Sequence, residues 1–162
     1  MIKVTDKMVL FWQADSVFSN WHPAEFTYDG EKFENSEACF IYRKCQTFGD
    51  TETIYELLDC QGPGYVKRLG REIAWFNEAK WVEVREQCMY DACFAKFSQN
   101  EDMKKALLDT GDREIVEASP YDTIWGIGLR PDDDKALYRT NWKGLNLLGK
   151  VLMKVRADLR SA

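Results

Sequence analysis

The sequence predicts one mainly helical domain, residues 1–162, with its β content confined to short strands near the start. Two patterns lead there. β-Forming residues cluster early, in Lys-Met-Val-Leu-Phe-Trp at residues 7–12 and on either side of Asp29-Gly30. From Ser36 onward apolar residues recur at helical spacing, punctuated by Gly, Pro and Asn. A chain of 162 residues is long enough to bury roughly 70% of its extended-chain surface without staples.

Residues 7–12 read as a strand. Residues 18–23 (Phe-Ser-Asn-Trp-His-Pro) are a loop, since Ser and Asn side chains form local turns and Pro23 pushes His22 out of the α region. Phe26-Thr27-Tyr28 and Glu31-Lys32-Phe33 form a hairpin, because Asp29-Gly30 supplies the positive φ angles of a two-residue turn. A helix follows over residues 36–48, capped by Asn35 or Ser36, with Glu37 favoured at the positive end of its dipole. Residues 51–58 make a second short helix, and Gln61-Gly62-Pro63-Gly64 breaks it. Residues 65–72 then carry Lys67, Arg68 and Arg71 on a third. Gly70 inside that helix costs about 1 kcal/mol relative to Ala, which points to close approach by another element or a ligand.

Residues 77–97 have apolar side chains on more than one face, as a buried central helix does. Another helix occupies residues 100–108 and stops near Gly111. Residues 114–118 alternate weakly as one more short strand. Pro131 and the three aspartates after it form a solvated acidic loop. Residues 144–159 close the chain as an amphipathic helix with the stripe Leu148, Val151, Leu152, Val155 and Leu159.

Six Trp, seven Tyr and nine Phe build a dense core or furnish stacking surfaces for a planar ligand. A net charge of −5 argues against broad binding to a nucleic-acid backbone, though a basic pocket for one or two phosphates is compatible with it. The five cysteines form no Cys-x-x-Cys pair and stand far from the single His22, so a disulfide framework and a zinc site both fit poorly. Buried, reduced thiols in a cytoplasmic protein fit better. Residues 1–7 are too charged for a signal peptide, and no apolar run is long enough for a membrane span. No cofactor is expected.

The familiar nucleotide and nucleophile motifs are absent, so catalysis has to run on carboxylates and amines. Advancing about 100° per residue puts Glu37, Phe40, Ile41, Lys44 and Phe48 in one stripe. A carboxylate and an ammonium in a core-facing stripe imply a pocket; otherwise the helix is apolar all round, with Ala38, Cys39 and Tyr42 opposite, and turns both charges to water. Two turns apart, about 10 Å along the axis, Glu37 and Lys44 can bracket a ribose. A buried Glu suits acid–base work and a desolvated Lys can attack C1 of a sugar. Trp125, between Pro120 and Gly126, fits a stacking platform or an ordinary turn tryptophan. Asp122 fits a proton donor to a leaving group or a turn cap. Lys67 and Arg71 suit a phosphate or are simply solvated. Asn20 and Asn146 can grip ribose hydroxyls or cap backbone.

The ordered set Phe18-Ser19-Asn20, Ser36-Glu37 with Lys44, Lys67-Arg68-Leu69-Gly70-Arg71, residues 117–128 ending Trp125-Gly126-Ile127-Gly128, and residues 146–153 resembles the NADAR (YbiA-like) family over nearly the whole chain. The resemblance implies a single α+β, predominantly helical domain with a small N-terminal β-hairpin or sheet. It implies an N-glycosidase that hydrolyses the bond between a ribose C1 and a base nitrogen. Members are associated with ADP-ribosylated guanine or with ribosylated pyrimidine intermediates of riboflavin synthesis. Glu37 falls on the family's catalytic glutamate and Lys44 on a lysine of the same helix, with Asp122 as a further catalytic candidate. Asn20, Phe40, Lys67, Arg71, Trp125, Gly126 and Asn146 are the expected substrate-binding positions. The partner is then a nucleotide or ADP-ribose-type small molecule, or an ADP-ribosylated nucleic acid, with no membrane. A non-catalytic ADP-ribose or NAD reader is the alternative. Some members have Asp between the two glycines where this chain has Ile127.

Overall fold

The computed structural model describes all residues, Met1–Ala162. Its strands are β1 (Ile2–Val4), β2 (Met8–Phe11), β3 (Phe26–Tyr28), β4 (Glu31–Phe33) and β5 (Glu114–Glu117). Its helices are α1 (Ser36–Phe48), α2 (Thr51–Asp59), α3 (Pro63–Arg71), α4 (Glu78–Gln99), α5 (Glu101–Leu108) and α6 (Leu147–Arg160). The fold is α+β, with more helix than strand. Packing divides the chain into two compact units, Pro23–Asn100 and Met1–His22 with Glu101–Ala162.

The Pro23–Asn100 unit opens on the expected hairpin. Asp29 and Gly30 take φ of 54° and 77°, and Phe26 pairs with Phe33 across the antiparallel strands. Asn35 then caps α1, its Oδ1 accepting from the Ala38 N–H at 2.8 Å. The left-handed Gly49 ends the helix. α1 is the centre of this unit: α2, α3, α4 and β4 all pack on it. Ala38, Cys39 and Cys45 are fully buried, and Phe40, Ile41 and Tyr42 nearly so. Helix α4 is buried in its C-terminal half, where Cys88, Met89, Ala92, Cys93 and Phe97 lie, while Val82 is exposed. An Arg43–Asp91 ion pair at 3.0 Å ties α1 to α4. The five cysteines are free, and all but Cys60 are buried. Burial pushes the Cys39 thiol well up and that of Cys45 to about 12, so these are inert packing groups. Helix α3 begins two residues earlier than expected, because Pro63 stands in its first turn, where a missing N–H costs nothing.

In the second unit β2 pairs antiparallel with β1 and parallel with β5. β1 was not expected, since Ile2 and Val4 flank a lysine in a short charged run. Leu10, Val116, Ala118, Ile127, Leu129 and Ala136 form the core over this sheet. Helix α6 packs on β5 through the expected stripe, in which Leu148, Val151, Leu152, Val155 and Leu159 are all buried. It starts at Leu147 rather than near Gly144. Gly149 sits where an added Cβ would overlap the Ile115 carbonyl oxygen and the Asn146 amide. Gly149→Ala is therefore expected to cost about 3 kcal/mol or more, since backbone cannot yield as a side chain can. Urea unfolding of the variant measures this; a loss under about 1 kcal/mol would mean that α6 slides freely on β5.

Candidate active site

In the Pro23–Asn100 unit the chemistry gathers around Lys44. The α1 stripe does not turn its charges fully to water, since Glu37 and Lys44 are both half-buried. The helix is buried on more than one face, and its ammonium is lodged against specific partners. Lys44 Nζ donates to the Gly70 carbonyl at 3.0 Å. It also stands 4.9 Å from the Phe76 ring centroid and 5.2 Å from that of Trp81, within reach of a cation–π attraction. Phe48 packs on both rings at 5.3 and 6.3 Å. Burial lowers the Lys44 pKa from its ordinary value, and the negative charge of Glu37 pushes partly back. Glu37 itself is half-buried in the first turn of α1.

Gly70 meets the expectation placed on it. An added Cβ would stand 2.8 Å from Ile41 Cδ1, so its absence lets α3 close on α1 and bring the Gly70 carbonyl to Lys44. Arg71 and Lys67 are exposed on α3. Phe40 is only 5% exposed and packs on Trp81 at 5.4 Å, so it supports the wall behind Lys44 rather than presenting a face to a ligand. Nothing in the sequence marks Phe76 or Trp81 as partners of Lys44. The signal available was weak: an aromatic in the helical stripe of α4, and one before the Asn77 cap. Lys96 was also unforeseen. It is fully buried, 4.8 Å from the Phe97 ring centroid, and desolvation lowers its pKa to about 8.

In the second unit Trp125 lies half-buried on a loop whose shape is set by hydrogen bonds. Asp122 Oδ1 accepts from the N–H groups of Ile124 and Trp125 at 2.9 and 2.8 Å, which is the turn-capping role open to it in the sequence. The Ile124 and Trp125 carbonyls in turn accept from Leu147 and Leu148 at 3.2 and 3.1 Å. The loop thus satisfies the first N–H groups of α6, which have no intrahelical partner. Gly126 is needed because a Cβ there would stand 2.9 Å from the Asp122 and Glu117 carbonyls, a reason of packing rather than of access to the indole. Asn146 is 1% exposed and left-handed, with φ of 55°. Its Oδ1 accepts from Glu117 N–H at 2.9 Å and its Nδ2 donates to the Ile115 carbonyl at 3.0 Å. Its amide braces β5, so the capping alternative fits it and the ribose-gripping one does not. Asn20 is buried. Ile127 is fully buried in the core, so its side chain acts in packing.

The NADAR domain profile matches residues 10–160. The chain belongs to the NADAR family. It is 38% identical to N-glycosidase R617 of Acanthamoeba polyphaga mimivirus, over 95% of this chain and 97% of that one. It is 39% identical to Protein irg-1 of Caenorhabditis elegans, over 96% of this chain and 81% of that one. The solution structure of the E. coli protein YbiA superposes with a TM-score of 0.79 at 28% identity, covering 98% of this chain and 88% of YbiA. No helix is long and apolar enough to cross a membrane.

A lysine whose folded pKa lies below its unfolded value holds fewer protons when folded, so stability rises with pH between the two values. Wild-type protein is expected to gain stability relative to Lys44→Met as pH climbs through the lowered Lys44 pKa toward 10.5. Paired urea melts across that range measure it; a constant difference would mean that Lys44 titrates as an exposed lysine does.

Proposed function

We propose that this chain is an N-glycosidase that hydrolyses the bond between a ribose C1 and a base nitrogen, acting on an ADP-ribosylated base of the guanine type. The observation that carries the reading is the Lys44 ammonium held partly out of water, on the Gly70 carbonyl, on the helix that also bears Glu37. Membership of a family whose relatives include a named N-glycosidase supports it.

N-Glycoside cleavage builds positive charge at the anomeric carbon. Glu37 offsets that charge as a carboxylate and activates the water that completes hydrolysis. Lys44 supplies an amine. A lowered pKa increases its neutral fraction, and the lone pair can then attack C1. The C1–nitrogen bond breaks, the base leaves with a proton, and the sugar ring opens to an iminium on Lys44. Water adds to that iminium, releasing the sugar aldehyde and restoring the amine. Arg71 with Lys67, both exposed on α3 of the same unit, meets phosphate.

Glu37→Gln is expected to bind ADP-ribose as wild type does while losing about 10²–10⁴-fold in turnover. Mass spectrometry of free base released from ADP-ribosylated guanosine reads this; release at the wild-type rate would remove Glu37 from the chemistry. A riboflavin-pathway ribosylamino-pyrimidine phosphate belongs in the same assay, since preferential cleavage of it would change the substrate class. Binding of ADP-ribose without turnover of either compound would make the chain a reader. Borohydride added during turnover should reduce the iminium to a stable sugar adduct on Lys44. A chain that turns over without gaining mass would assign Lys44 to holding a hydroxyl or phosphate instead.

A further inference from the structure

The segment between α3 and α4 carries an indole that stands largely in solvent. Trp75 is 76% exposed, the most open tryptophan among the large hydrophobic residues on the surface. Its φ is 59°, in the left-handed region that a bulky side chain rarely occupies and that costs free energy. Residues held there persist only where their surroundings over-determine them, and such positions cluster at ligand clamps.

The surroundings here are specific. Asp50 is 5% exposed, and its Oδ2 accepts from the Ala74 N–H at 2.9 Å. The same carboxylate is fixed by the Thr53 N–H at 3.1 Å and the Thr53 hydroxyl at 2.6 Å. Against the burial of the carboxyl, these hydrogen bonds hold its pKa below the usual value. A charged, fully bonded anchor thus sets the backbone one residue before Trp75. One residue after it, Phe76 faces the Lys44 ammonium. The same stretch supplies the Gly70 carbonyl and the Trp81 ring to Lys44. Trp75 therefore belongs to the chain segment that wraps the amine, yet its own ring stands in solvent.

We propose that Trp75 is a substrate-binding residue whose indole stacks on the planar base of the nucleoside diphosphate remote from the bond that breaks. This deepens the N-glycosidase reading and rests on it. An ADP-ribosylated base carries two flat heterocycles, the one that leaves and the one that stays with the diphosphate. Trp75 takes the one that stays. Arg71, exposed in the last turn of α3 four residues earlier, suits the diphosphate. A contact so far from C1 is made equally in the ground and transition states, so it acts on binding and not on the chemical step.

Glycine relaxes the left-handed backbone, so Trp75→Gly is expected to fold, and Trp75→Phe keeps a stacking ring. Titration calorimetry with ADP-ribose and with ribose 5-phosphate, which lacks the base, separates the outcomes. Trp75→Gly should weaken ADP-ribose by about tenfold, within the range of one base–aromatic stack, and leave ribose 5-phosphate unchanged. Trp75→Phe should retain most of the affinity. In turnover, KM should rise with kcat unchanged. Equal ADP-ribose affinity in wild type and Trp75→Gly would overturn the stacking role and leave the N-glycosidase reading standing. So would equal losses in both variants, or a fall in kcat alone. A wild-type chain that binds neither ligand would overturn both.

Discussion

An ammonium kept partly out of water is the constraint around which the Pro23–Asn100 unit is arranged. Desolvation opposes the Lys44 charge, and the compensation includes the negative charge of Glu37, one carbonyl and two aromatic faces. Each compensating group is set in place by a different local device. The carbonyl reaches Lys44 because residue 70 has no Cβ to collide with Ile41. The Phe76 ring arrives because Asp50 pins the preceding backbone, and the Trp81 ring because Asn77 starts α4 at that point, accepting from Lys80 N–H at 2.9 Å. Helix capping, glycine placement and a buried carboxylate therefore converge on one amine. Such convergence is the structural form of a perturbed pKa, and perturbed groups concentrate where chemistry is done.

The second unit solves a different problem with backbone. Its β5 strand leaves polar groups beside α6, and Asn146 takes up two of them with a single amide. The first turn of α6 has donors to satisfy, and the Ile124 and Trp125 carbonyls satisfy two of them. Glycines at 126, 144 and 149 are present because carbonyls or Cα atoms already occupy the space of a Cβ. The Trp125 loop is thus rigid for reasons internal to the unit, and a rigid loop is a sound mount for an aromatic contact.

Local signals were legible wherever they sat close together in the chain. The Asp29-Gly30 hairpin, the Asn35 cap, the bounds of α1, the buried stripe of α6 and the close approach at Gly70 could all be read from neighbouring residues. β1 could not, because Ile2-Lys3-Val4 is too short to show alternation and acquires its meaning only by pairing with β2. The parallel pairing of β2 with β5 joins residues about a hundred positions apart, and no local pattern encodes it. Pro63 misled because a proline that ends one helix is equally suited to begin the next. Phe40 and Asn146 matched motif positions, yet burial turned one into wall and the other into brace.

By itself, then, the sequence determined the order of the helices and of the strands after β1, the family, and the placing of a carboxylate and an amine two turns apart on one helix. These follow from short-range sterics, capping and helical periodicity. Tertiary structure alone decided that Lys44 meets Gly70, Phe76 and Trp81, that Lys96 is buried, and that Trp75 stands strained and open. Those outcomes depend on which distant atoms exclude water from a charge, and desolvation is a property of the packed surroundings rather than of the residue.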